Sequence, residues 1–267
     1  DVEYVKLVNW IAPEKRVLRR SVLSSVRVVV ERNARLRDDL AMFEIGSVYL
    51  PKPGDLPDEP RHLAIAITGQ RYETAWDLHN SAQLDFYDLK GVIEGLMGAL
   101  HLAVSYEAAE HPTFHPGKCA AVLLNGASLG VFGELHPLVQ ENYDVETPIL
   151  AADLDLEAII AAIPGGYPLQ AVRDFPPVLE AIAVIVDEGV PAAKVETAIW
   201  QGGGKLLTNV SLFDVFRGEQ IGAGKKSLAY HLTYQSPERT LNDQEAGQVR
   251  QKIIRRLEQE LGAKLRS

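Results

Sequence analysis

Residues 225–246 read KKSLAYHLTYQSPERTLNDQEA, and this stretch decides the fold of the last third of the chain. Its first half alternates. Ser227, Ala229, His231 and Thr233 fall on one face of an extended strand, and Leu228, Tyr230, Leu232 and Tyr234 on the other. Its second half changes period. Asn242 is an N-cap with Glu245 three residues on, and Ala246, Val249, Ile253 and Leu257 form one apolar helical stripe that Gly262 ends. A short strand over 263–266 follows. Upstream, 178–187 and 208–217 read as strands, and 191–200 as a helix with Val195 and Ile199 inward. The order is βαββαβ, the ferredoxin-like split βαβ arrangement. Two helices cover one face of a four-stranded antiparallel sheet, and the other face stays open as a candidate binding platform.

Working outward, Pro164-Gly165-Gly166-Tyr167-Pro168 breaks both periods and predicts a boundary, with domains over 1–165 and 174–267 and a linker over 166–173. The first domain mixes elements. Strands are expected over 42–50, 62–68, 104–108, 120–124, 129–133 and 149–154, helices over 86–102 and 157–163, and a hairpin turn at Asn125-Gly126. The fold class is α+β, with a mixed or antiparallel sheet. Tyr4, Lys6 and Val8 read as a strand already under way behind Asp1, as in a piece of a longer polypeptide. From Pro13 onward Leu18, Val22, Val26, Val29, Leu36 and Leu40 fall near helical spacing, opposite Arg16, Arg19, Arg20, Arg27, Arg32, Arg35 and Arg37. That basic face is either solvated or an RNA or subunit contact.

The 267 residues fit two domains, and 46% hydrophobic with 24% charged residues excludes wholesale disorder. Apolar runs reach only six residues, at 119–124, 158–163 and 181–186, against the roughly 20 of a spanning helix, so no membrane helix is expected. A single cysteine, Cys119, excludes an internal disulfide and fits a reducing cytosol. The net charge of -9 argues against nucleic-acid binding by the whole surface. It is unevenly spread, however: residues 1–50 carry +2, residues 51–169 carry -12, and residues 170–267 carry +1.

Two motifs resemble chemical sites. His111, His115 and Cys119 have zinc-like spacing, but each histidine precedes a proline and Pro116-Gly117 marks a turn, so a structural loop is expected and no metal. Gly202-Gly203-Gly204-Lys205 looks like a phosphate cradle, yet it follows a helix and precedes a strand, so a flexible connection is expected. No catalytic set can be assembled from spacing. On the open sheet face, small residues would let a nucleic-acid base approach and His231 could stack. Lys225, Lys226 and Arg239 at the strand ends could reach phosphates, although a plain solvated face fits the residue types equally.

Phe175-Pro176-Pro177, Lys226-Ser227-Leu228-Ala229-Tyr230, Arg239-Thr240-Leu241-Asn242-Asp243 and Leu261-Gly262 together resemble the ferredoxin-fold anticodon-binding domain of the bacterial phenylalanine-tRNA ligase beta subunit. Leu18-Arg19-Arg20-Ser21, Phe43-Glu44-Ile45-Gly46, Asp88-Leu89-Lys90-Gly91, His115-Pro116-Gly117 and the run from Gly130 to Pro137 resemble the same family's class II synthetase-like core domain. Glu180-Ala181 departs from the Arg-Asp that many members carry there.

The resemblance implies a cytoplasmic assembly of two alpha and two beta subunits that attaches phenylalanine to tRNA(Phe), with ATP and magnesium used by the alpha subunit. It implies no catalytic residue and no cofactor in this piece. Met42 stands two residues before Glu44, where a class II site has an arginine, and Glu134 follows Gly133 where another is needed. The implied tRNA contacts are Lys226, Ser227, Ala229, His231, Thr233 and Arg239, and the implied partners are the alpha subunit, a second beta subunit and tRNA(Phe). A shortened paralogue that serves as a protein scaffold and has abandoned tRNA is the alternative.

Overall fold

A computed structural model of the chain describes residues 3–73, 75–79, 81–141, 145, 147–166 and 174–266. The chain falls into two compact units, Asp1–Pro168 and Leu169–Ser267. Of the expected linker 166–173, residues 167–173 lie outside the described residues.

The first unit contains α1 (Leu23–Ala34), β1 (Leu40–Ser47), β2 (Arg61–Thr68), α2 (Phe86–Ala99), β3 (Val104–Ala108), β4 (Phe114–Leu124), β5 (Ala127–Leu135), α3 (Pro137–Gln140), β6 (Leu150–Asp155) and α4 (Leu156–Ala162). Its six strands lie in the order β1-β2-β6-β5-β4-β3, and every pairing is antiparallel rather than mixed. Alternation along β2 and β6 sorts the core. Leu63, Ile65, Ile67, Leu150, Ala152 and Leu154 pack with α2 and α4, whereas Ala64, Ala66 and Ala151 pack with Leu23, Val26 and Val30 of α1 and with Val22 just before it. The sheet is therefore a layer between helices. Asn125 and Gly126 turn from β4 to β5 with φ of 51° and 82°, the left-handed pair that a two-residue hairpin needs.

The amino-terminal expectations need correction. The region from Tyr4 to Val8 forms only one bridge, Lys6 to Val17, and Pro13–Lys15 is a single 3₁₀ turn. Helix α1 starts at Leu23, so Leu18 lies before it and Leu40 opens β1, while Val29 and Leu36 are exposed. The start is set by contacts far along the chain. Ser21 Oγ accepts from the Leu23 N–H and donates to Asp153 Oδ2 at 2.5 Å, and His62 Nδ1 lies 2.6 Å from Asp153 Oδ1. Nor does Arg19 sit on a solvated helix face. Its guanidinium donates to Ser47 O, Ser25 Oγ and Glu44 Oε1 and so ties the segment before α1 to β1.

The second unit contains β7 (Val178–Asp187), α5 (Ala192–Gly203), β8 (Leu207–Phe216), β9 (Lys225–Tyr234), α6 (Asp243–Leu261) and β10 (Lys264–Leu265). Its antiparallel sheet has the order β10-β7-β9-β8, the ferredoxin-like topology. Helices α5 and α6 cover one face through Val195, Ile199, Ala246, Val249, Ile253 and Leu257. Helix α6 begins with the expected capping box of Asn242 and Glu245 and ends on Gly262 at φ 60°.

The glycine run is not a flexible connection. Gly202 lies within α5 against α6, where an added Cβ would sit 2.8 Å from Ile253 Cα. Alanine would gain about 1 kcal/mol of helix propensity but would push two packed helices apart, which costs about 1–3 kcal/mol. Gly202→Ala should therefore lower the denaturant midpoint of the second unit; an unchanged or higher midpoint would contradict this packing.

The Asp153 contact supports a pH prediction for the first unit. The hydrogen bond to Asp153 raises the His62 pKa above the ordinary histidine value, with burial opposing it. The stabilisation is fully present below the unfolded value of about 6.5 and is lost as pH rises through the raised folded value. Thermal melts across that range should show the first unit's midpoint falling with rising pH, and His62→Asn should flatten the slope.

Candidate nucleic-acid interface

Strands β7 and β9 pair along their whole length, from Val178 with Tyr234 to Asp187 with Lys225. Residues opposite each other share a face. Leu228, Tyr230 and Leu232 therefore face the helices with Val184, Ile182 and Glu180. The outward pairs are Ile185 with Ser227, Ala183 with Ala229, Ala181 with His231 and Leu179 with Thr233. Three of these four pairs contain alanine or serine, which gives the open face a low floor.

The walls come from the two edge strands. On β8, Asn209, Ser211, Asp214 and Phe216 stand opposite Thr233, His231, Ala229 and Ser227. A bulge between Leu212 and Asp214 adds Phe213 to this face, where its ring stacks on His231 with centroids 4.0 Å and planes 17° apart. On the other edge, Lys264 pairs with Ile185 and so shares the open face, and two residues on Arg266 does too. The Arg266 N–H donates to Ala183 O at 2.8 Å, while its guanidinium carbon lies 4.6 Å from the Phe216 ring centroid. Since Phe216 stands on β8, beyond β7 and β9, the Arg266 side chain crosses the floor. Ser227 and Ala229 are consequently only 2% and 9% exposed. Such a surface can stack flat heteroaromatic rings on Phe213, His231 and Phe216, attract phosphate through Lys264 and Arg266, and accept a base N–H at Asp214.

The structure brings Ser227, Ala229, His231 and Thr233 into one row and separates the two cations expected beside them. Lys226 stands opposite Val186 on the helix-covered side, and its Nζ donates to Glu188 O at 2.8 Å. Arg239 lies beyond the other end of β9 and is held by Glu245. Lys226 does not border the open face, because strand parity turns it away, and Arg239 is recruited by the α6 cap. Of the two departures, Glu180 faces the helices, with Arg250 at 3.8 Å, whereas Ala181 lies on the open face opposite His231, where many members carry Asp. Phe213, Phe216, Lys264 and Arg266 were missed by sequence reasoning. The alternation Lys264, Arg266 was available as a signal, but the bulge that turns out Phe213 has no local one.

From His115 on, the histidine–cysteine motif is strand and not the expected loop. His115 and Cys119 both belong to β4, at an irregular stretch between Phe114 and Cys119. His115 Nδ1 accepts from the Gly117 N–H, and Cys119 is buried, which pushes its thiol pKa up. Among the described residues no three His, Cys, Asp or Glu side chains are grouped to hold a metal ion, and no helix is long and apolar enough to cross a membrane.

Two family models match the chain: the phenylalanyl tRNA synthetase beta chain CLM domain over residues 1–156 and the ferredoxin-fold anticodon binding domain over residues 174–266. The chain belongs to the phenylalanyl-tRNA synthetase beta chain family. Similar proteins include the phenylalanine–tRNA ligase beta subunits of Symbiobacterium thermophilum, 40% identical over 98% of this chain and 29% of the relative, and of Clostridium acetobutylicum, 37% identical over 98% and 32%. That of Bacillus subtilis is 35% identical over 95% of this chain and 32% of the relative. The chain spans about a third of the length of these curated relatives.

Within the beta-chain family's anticodon-type unit, the Arg239–Glu245 pair supports the α6 cap. Arg239, and then the Asn242 backbone, lower the Glu245 pKa from 4.5 to about 2. A depressed carboxylate stabilises above its unfolded value, and the benefit is lost as pH falls through the folded one. Followed by far-UV circular dichroism, wild type should hold α6 to lower pH than Arg239→Ala does. Coincident acid transitions would show that the pair contributes nothing.

Proposed function

We propose that the second unit binds the anticodon stem-loop of tRNA(Phe) on its open sheet face, within a ligase that attaches phenylalanine to that tRNA. The observation that carries this reading is the aromatic and cationic perimeter around a floor of alanine and serine, in a chain whose matched domain is named for anticodon binding. Phe213 and His231 stack a base, Lys264 and Arg266 meet the backbone, and Ser227, Ala229 and Thr233 set how closely the loop approaches. Domain limits of 1–165 and 174–267 fit this division of labour. The matches favour it over a scaffold that has abandoned tRNA.

The first unit serves assembly with the alpha subunit and a second beta subunit. Its residues do not fit ATP. Met42 packs against the α1 core where a guanidinium is required, Arg19 is committed to Glu44, and Glu134 is committed to Lys118. Activation of phenylalanine with ATP and magnesium therefore falls to the alpha subunit in a cytoplasmic holoenzyme.

Fluorescence titration of the whole chain with the tRNA(Phe) anticodon stem-loop, at one stated salt concentration, tests the RNA assignment. Phe213→Ala should cost about 1–3 kcal/mol of affinity, as loss of one stacked base does, while Lys226→Ala should change little. Equal affinity for Phe213→Ala and wild type would remove the stacking face, and co-purification with the alpha subunit would test the first unit separately.

A further inference from the structure

The first unit holds a cavity of about 360 Å³ that the ligase reading does not use. It lies on the α1 side of the six-stranded sheet, beside the Ser21–Asp153–His62 chain of hydrogen bonds. The volume is at the small end of the roughly 300–1,000 Å³ common for ligand pockets.

Its lining has two characters. Leu23 and Val131 are apolar, whereas Arg20, His62, His111, Asp153 and Asp155 are charged or ionisable; Leu129 also borders the cavity but is packed into the core on the α2 side of the sheet. Asp153 is committed, since its two oxygens meet Ser21 and His62. Asp155 is not: among the described residues only its Oδ1 is occupied, by the Ala158 N–H at the start of α4. Arg20 gives one N–H to Glu3 O and keeps the rest of its fork. The floor is rigidly defined, because Gly130 at φ 142° brings β5 so close to β6 that a Cβ there would lie 2.1 Å from Asp153 O.

Charge and geometry narrow the ligand. Arg20 and Asp155 thus present one positive and one negative group to the same cavity, which favours neither a lone cation nor a lone anion. It does suit a molecule that carries both signs a short distance apart. A metal ion is a poor fit, since no three ligating side chains group together among the described residues. We propose that this cavity binds an α-amino acid with an aliphatic side chain as its zwitterion, the ammonium toward Asp155, the carboxylate toward Arg20, and the side chain against Leu23 and Val131.

The test is calorimetric titration of the whole chain with L-leucine, with isopentylamine, which lacks the carboxylate, and with 4-methylpentanoate, which lacks the amine. Leucine should bind at millimolar concentration, and each half-molecule should bind at least about tenfold more weakly, the loss expected for one charge-assisted hydrogen bond. Asp155→Asn keeps a good N-cap for α4 and should weaken leucine about tenfold. Arg20→Met should remove the preference for leucine over isopentylamine. No binding of leucine at millimolar concentration, equal binding of either half-molecule, or full affinity in Asp155→Asn would overturn the proposal. None of these outcomes bears on anticodon binding, which uses the other unit.

Discussion

Strand β9 lies between β7 and β8, so each of its side chains must face either the two helices or the open side of the sheet. Leu228, Tyr230, Leu232 and Tyr234 take the helix side and are fully or almost fully buried. A register slip of one residue would expose all four and send Ser227, Ala229, His231 and Thr233 into the core. That price in buried area fixes the strand, and the strand in turn fixes the open face. The floor is low because Ala181, Ala183, Ser227 and Ala229 are small, and it is left to the Arg266 side chain because both helices are committed to the other side.

The walls obey a different constraint. Regular alternation along β8 would put Leu212 on the same face as Asp214 and Phe216. The bulge breaks the count, so Leu212 pairs opposite Tyr230 on the helix side and Phe213 turns outward to His231. Opposite them, Arg266 reaches Phe216 from just past a strand of two residues. The aromatic perimeter is thus made by irregular or terminal parts of the sheet, while its regular centre supplies only the floor.

Legibility in the sequence follows the same division. The spans of β3 and β7, the α6 cap and the Asn125-Gly126 turn depend on neighbouring residues and could be read directly. Helix α1 could not: its apolar spacing extends over Leu18, Val29 and Leu36, but its start depends on Ser21 meeting Asp153, 132 positions away. The floor residues of the candidate site were legible from the parity of β9. Lys226 was misplaced because proximity to a strand end does not tell which face a side chain takes, and the pairing of Arg239 with Glu245 was hidden because it does not tell which carboxylate a side chain finds. Phe213 stayed hidden because a bulge is set by two strands together.

The Arg266 side chain lying across Ala183 and Ala229 has an evolutionary meaning. A floor of alanines contributes almost no recognition of its own, yet any larger residue there would collide with the arginine above it. Drift at the floor is therefore blocked by sterics, while the perimeter can exchange one ring or one charge for another without disturbing the helices. A domain so arranged can retune what it recognises and keep the same core.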